Sequence, residues 1–202
     1  MVKKLGLLCV VLAVFTMPAL AAPVIGEAAP EIEAVDVRGD TFKLSDHKGK
    51  IVVLEWTNHQ CPFVVKHYDS GNMQDIQKAA RADGAEWVTI ISSAPGHQGH
   101  VSDDEALAIA ADKNADPTTI IRDETGEIGG KYEAKTTPHM FVIDADGILV
   151  YAGAIDSNPS PRASTIEGAT NYVTEALAAL KNGEPVVVSE MQPYGCGVKY
   201  AK

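Results

Sequence analysis

The hydrophobic pattern of the chain is densest in its middle. Ile51-Val52-Val53-Leu54 is a short unbroken run, mostly β-branched, which predicts a strand covered on both faces and ending at Glu55-Trp56. From Cys61 to about Ala82 the apolar positions Val64, Val65, Tyr68, Met73, Ile76 and Ala80 follow helical spacing, with Ser70-Gly71-Asn72 as a kink or break and Asp83-Gly84 as the stop. Trp87-Val88-Thr89-Ile90-Ile91 predicts a second buried strand. Strand, helix and strand form one right-handed crossover unit, with Cys61 at its first strand-to-helix junction.

The flanking segments complete a layered domain. Glu31 to Leu44 alternates loosely about Gly39-Asp40, as an edge hairpin would. Ser102 and Glu105 have capping-box spacing and open an inserted helix to about Lys113, followed by Pro117 and a short strand Thr119-Ile120-Ile121. Met140 to Ile143 and Ile148 to Ala152 flank Asp146-Gly147, a strong hairpin signal. Ala169, Tyr172, Val173, Ala176, Leu177 and Leu180 then share one helical face, and Gly183 stops the helix. The fold class is α/β, with a central mixed sheet flanked by helices, an N-terminal hairpin and one inserted helix.

The first residues carry a different pattern. Lys3 and Lys4 precede the apolar run Leu5 to Phe15, and Ala19-Leu20-Ala21 supplies small residues for cleavage, so residues 1–21 are expected to be a signal peptide and 22–202 the folded domain. The run is short for a membrane anchor, and Pro18 interrupts it. Export to the periplasm or the exterior follows. The net charge of −10 becomes more negative once Lys3 and Lys4 leave, and no basic cluster remains, which argues against nucleic acid or an anionic membrane as a partner. An apolar share of 46% suffices for one core.

Cleavage removes Cys9 and leaves Cys61 and Cys196, two thiols in an oxidising compartment. Cys61 starts a predicted helix, where unpaired amides and the macrodipole favour the reactive thiolate. Pro62 suits the first helical turn, where its missing N–H costs nothing. The polar neighbours Asn58, His59 and Gln60 set Cys61 apart from an inert core cysteine, and His59 is a candidate base or charge partner for it. Thr136-Thr137-Pro138 precedes a strand, where a loop proline can be cis and hold its backbone against a neighbouring site. Two other classes of function stay open. His59, Cys61 and His67, or His97 and His100, could bind copper, and a non-catalytic adaptor could use the cysteines only as a staple.

The order of these features resembles the thioredoxin-like superfamily, in particular its redoxin (AhpC/TSA-like) branch. Within that branch the chain is most similar to members with a Cys-Pro-aromatic-Val site and a C-terminal Gly-Cys-x-x-Lys-aromatic motif, here Cys61-Pro62-Phe63-Val64 and Gly195-Cys196-Gly197-Val198-Lys199-Tyr200. The resemblance implies an oxidoreductase in which Cys61 attacks, Cys196 resolves, and Pro138 is a cis-proline facing the nucleophile. Trp56, Thr57, His59, Pro62, Phe63, Thr137 and Pro138 would frame the approach of a protein thiol or disulfide, or of a small peroxide. An external thiol reductant would close the cycle, and neither cofactor nor metal is needed. Two departures matter. Val64 stands where a dithiol reductase has its second cysteine, and Leu54 and Asn58 stand where a peroxidase has its Pro and its Thr or Ser, although Thr57 is adjacent to that position.

Overall fold

A computed structural model describes residues 22–201, and the expected signal peptide lies outside the described residues. Five strands form the main sheet in the order β5-β4-β3-β7-β8. They are β3 (Val52–Trp56), β4 (Glu86–Ile91), β5 (Thr119–Arg122), β7 (His139–Ile143) and β8 (Leu149–Gly153). β3 pairs in parallel with β4, and β4 with β5, whereas β7 runs antiparallel to both β3 and β8. The mixed sheet read from the sequence is therefore the observed one.

Alternation along β3 divides the core in two. Val52, Leu54 and Trp56 face a cluster with Ile32, Phe42, Tyr132 and Phe141, while Val53 faces Met73, Trp87, Met140 and Val173 on the other side. A central strand with both faces covered is expected to be mostly apolar, and β3 is fully buried at all five positions. One of the five is Glu55, and the strand ends at Glu55-Trp56 as its sequence pattern predicts.

The helices are α1 (Pro62–Asp69), α2 (Asn72–Ala82), α3 (Asp103–Asp112), α4 (Glu127–Lys131) and α5 (Tyr172–Lys181). Of the kink or break expected at Ser70-Gly71-Asn72 the structure shows a break: Gly71 adopts a left-handed φ of 80° and caps the start of the second helix. Ser102 and Glu105 make the reciprocal capping box that opens α3. The closing helix starts three residues after Ala169, where Asn171 accepts the Thr174 N–H and fixes the start. The N-terminal hairpin, β1 (Glu33–Val35) with β2 (Thr41–Lys43), does not extend the edge of the main sheet. It forms its own two-stranded ladder and packs on the sheet's face through Ile32, Phe42 and Leu44. A second small ladder joins β6 (Thr136–Thr137) to β9 (Cys196–Gly197), and it builds the site. Among the described residues no helix is long and apolar enough to cross a membrane.

Candidate active site

The turn between β3 and α1 is tied by a buried asparagine. The Asn58 side chain accepts the Gln60 N–H (2.9 Å) and donates to the Gln98 carbonyl (3.2 Å), while its own carbonyl accepts the Cys61 N–H (2.9 Å). Cys61 thereby becomes the N-cap of α1, with Pro62 in the first turn. Its carbonyl accepts the N–H groups of Val64 and Val65, and the Val64 amide also reaches the Cys61 sulfur. The free amides that favour a thiolate are in place, yet the sulfur is not open to solvent: Cys61 is 0% exposed.

The C-terminal segment is what covers it. Thr137-Pro138 is a cis peptide, and the Cys61 thiol donates to the Thr137 carbonyl at 3.0 Å. On the same short strand Thr137 is the register partner of Cys196, and Thr136 of Gly197. The segment is held on both sides of that ladder. Upstream, the Met191 N–H donates to Ala152 and Tyr194 packs edge-on against Phe63, with ring centroids 5.8 Å apart. Downstream, the Val198 N–H donates to Lys135, the Lys199 carbonyl accepts from Ala94, and the Tyr200 hydroxyl donates to Ala134.

Both cysteines carry free thiols, and Cys196 is close enough to Cys61 for each to act on the other's acidity. Their acidities are pulled apart. Burial alone would raise the Cys61 thiol, but hydrogen bonds from the Cys196 thiol, from Thr137 and from the amides of Cys196 and Val64 outweigh it and leave Cys61 below the ordinary thiol value. Cys196 is pushed up to about 11 by burial, by its bond to Cys61 and by that neighbour's charge, with Lys199 opposing. Cys61 is thus the first of the pair to ionise.

The other expected site residues separate into groups. Phe63 is half-buried against Tyr194, Pro62 is exposed at the helix start, and Thr137 and Pro138 line the sulfur's surroundings. Trp56 is in the core, with its indole N–H on Ser92 (3.0 Å) and its ring against Tyr132 and Phe141. Thr57 is buried, two residues along from Glu55 and close enough to help lower that carboxyl's pKa. His59 is partly buried, which lowers its pKa, and the charge it senses is Glu105 on α3, with Cys61 not among its interactions. Of the histidines considered for copper, His67 turns into the core toward Asn72 and Asp156, and His100 pairs with Glu124. Among the described residues no three His, Cys, Asp or Glu side chains converge as a metal site.

Two polar clusters near the site have no counterpart in the sequence reading. Glu55, with its pKa raised by burial, accepts from the Tyr68 hydroxyl (2.8 Å), the Trp87 indole (2.9 Å) and Thr89 (3.3 Å). An acidic residue inside an apolar run was the available signal. The second cluster joins Lys66, Asp156 and Tyr194 from three distant stretches, and no local pattern announces it.

Comparison with known proteins agrees with this architecture. Among solved structures, a conserved protein from Geobacillus kaustophilus is 26% identical with a TM-score of 0.72, covering 88% of this chain and 93% of that one. A hypothetical protein from Sinorhizobium meliloti 1021 is 20% identical with a TM-score of 0.74, over 90% of this chain and 97% of that one. The thioredoxin domain of a thiol-disulfide oxidoreductase from Bacteroides vulgatus is 17% identical with a TM-score of 0.51, over 72% and 97%, and shares the fold. No curated protein matches. Residues 25–152 match the AhpC/TSA family, a stretch that includes Cys61 and the whole main sheet apart from the last residue of β8. The chain therefore belongs to the AhpC/TSA family, the redoxin branch of the thioredoxin-like superfamily.

Proposed function

We propose that this chain is an exported thiol-disulfide oxidoreductase in which Cys61 is the attacking thiolate and Cys196 of the same chain resolves the mixed disulfide. The observation that carries the reading is the β6–β9 ladder, which brings Cys196 beside a cysteine about 135 residues earlier. Family membership supports a redox thiol, and the Lys3 to Ala21 pattern supports export.

The Cys61 thiolate attacks one sulfur of a protein disulfide, forming a mixed disulfide and expelling the other sulfur as a thiolate that takes up a proton. Cys196 then gives up its proton and attacks the Cys61 sulfur, expelling the second substrate thiol. The substrate disulfide has gained two electrons and two protons, and the Cys61–Cys196 pair is left as a disulfide. An external thiol reductant returns it to the dithiol, and the same steps in reverse oxidise a substrate. The complete burial of Cys61 requires the C-terminal segment to lift before a protein substrate reaches the sulfur. Phe63, Pro62, Thr137 and Pro138 then border the opening, with His59 at its margin and Trp56 and Thr57 as support beneath. A peroxide substrate has less support, since Asn58 replaces the hydroxyl residue and the adjacent Thr57 is buried.

The test is a non-reducing peptide map of protein exposed to a glutathione redox buffer. A single linked pair of peptides carrying Cys61 and Cys196 is expected, together with a trapped mixed disulfide on Cys61 in the Cys196→Ser variant. Full alkylation of both thiols in oxidised wild-type protein would overturn the assignment.

A further inference from the structure

Three stretches of chain meet in a buried ionic cluster beside the site. Lys66, one turn into α1, is 2% exposed, and its ammonium donates to Asp156 Oδ2 (3.2 Å), to the Asn158 carbonyl (3.1 Å) and to the Tyr194 hydroxyl (3.5 Å). The same ammonium stands 5.5 Å from the centroid of the Tyr194 ring. Asp156 is 3% exposed, and its Oδ1 accepts the Asn158 N–H (2.9 Å) and the Tyr194 hydroxyl. His67 sits alongside. Asn72 approaches its Nδ1 at 2.8 Å, so Nε2 faces Asp156 Oδ2 at 3.8 Å without a hydrogen-bond partner.

Stability does not account for such a cluster. Removing a lysine and an aspartate from water is costly, and apolar side chains of similar volume would serve a core at least as well. What the cluster does have is reach: Lys66 belongs to the helix capped by Cys61, Asp156 follows β8, and Tyr194 lies two residues before Cys196. Between Tyr194 and Cys196 stands Gly195, pressed so closely on the Thr137 carbonyl that there is no room for a Cβ. Fixing the Tyr194 hydroxyl therefore fixes where Cys196 arrives along β6.

We propose that Tyr194 is a positioning residue for the resolving thiol, its hydroxyl locked on Asp156 and Lys66 so that Cys196 is delivered to Cys61. The proposal rests on the oxidoreductase reading above. The cluster acts as a register pin: it joins the helix of the nucleophile to the strap of its partner and raises the effective concentration of one sulfur at the other.

Tyr194→Phe is the informative variant because it keeps the ring on Phe63 and removes only the hydroxyl. The equilibrium between the Cys61–Cys196 disulfide and glutathione should shift roughly tenfold toward the opened, glutathionylated or reduced forms, the scale expected for loss of one hydrogen bond to a buried charge. Asp156→Asn should shift it in the same direction, and the double variant should do no more than the stronger single one. Glutathionylation of Cys61 in a Cys196→Ser background should respond to Tyr194→Phe several-fold less than the disulfide equilibrium does, which separates positioning of Cys196 from general loosening of the fold. If wild-type protein forms no internal disulfide, the oxidoreductase reading falls. If wild type forms it and Tyr194→Phe matches it within about twofold, or if the Cys196→Ser background responds as strongly, the positioning role alone is overturned.

Discussion

Gly195 packs with its α-carbon against the carbonyl of Thr137, so that a β-carbon added at position 195 would lie 2.0 Å from that oxygen. The φ of 142° at Gly195 is also one that side chains resist. This contact is what lets the C-terminal strap lie flat on β6 and seal Cys61.

Gly195→Ala should therefore raise the strap without disturbing the domain beneath it. Global stability should fall by no more than about 1–2 kcal/mol, while local opening over Cys61 becomes easier. In reduced protein the alkylation rate of Cys61 by iodoacetamide should rise about tenfold or more at fixed pH, as read by mass spectrometry of the Cys61 peptide. An unchanged rate would mean that the strap is not what shields the sulfur.

The split acidity of the thiols gives a second expectation. Far-ultraviolet thiolate absorbance should rise in two steps, one below the ordinary thiol range and one near pH 11. Cys196→Ala should move the first step upward, because the burial of Cys61 persists while its thiol donor is gone. Cys61→Ala should move the second step downward. The signs for stability are opposite. The lowered Cys61 contributes stability that is present above the unfolded thiol pKa and is lost as pH falls through its folded value, whereas the raised Cys196 costs stability as pH climbs from the ordinary value toward about 11.

Acid should unfold the protein through two buried histidines. Burial, partly offset by Asp156, lowers His67 from 6.5 to about 4, and burial with Lys135 lowers His139 to about 3. For a lowered histidine the contribution to stability is intact above the unfolded pKa and disappears as pH falls toward the folded one. Urea titrations should accordingly show stability dropping from about pH 6.5 toward 4, by up to about 1.4 kcal/mol per pH unit for each proton taken up on unfolding. His67→Gln should flatten that slope. Glu55 acts in the other direction, since its raised pKa returns stability as the medium becomes acidic.

Glu55 also gives a prediction at neutral pH. Glu55→Leu would strand the Trp87 indole and the hydroxyls of Tyr68 and Thr89, and should cost about 3–5 kcal/mol in chemical denaturation. Glu55→Gln keeps an acceptor for the indole and removes a charge that burial disfavours, so it should stay within about 1 kcal/mol of wild type.

Legibility in the sequence followed the range of the interactions involved. β3, β4, the Asp146-Gly147 hairpin and the capping box at Ser102 depend on neighbours a few residues away, and all were readable. So was the placement of Cys61 at a helix start, because a strand, a polar turn and Cys-Pro define it locally. The break at Gly71 was half-readable: apolar spacing carried through it, while the left-handed backbone needed there could be guessed only from the glycine. The strap, the Lys66–Asp156–Tyr194 cluster and the hub at Glu55 join residues dozens of positions apart, and no periodicity encodes which of them meet. Trp56 illustrates the reverse case. The family resemblance implied that it frames the approach to Cys61, yet strand alternation turns its ring into the core.

The β6–β9 ladder has one more consequence, in the thermodynamics of the whole chain. A covalent link at that ladder would close a loop of about 135 residues, and a loop of that length confines the unfolded chain by an amount worth on the order of 4–5 kcal/mol in the chain-entropy picture. Reduction and oxidation would then change more than the reactivity of two sulfurs. They would set how firmly the domain holds together, making the dithiol form the more readily unfolded, and proteolysed, of the two.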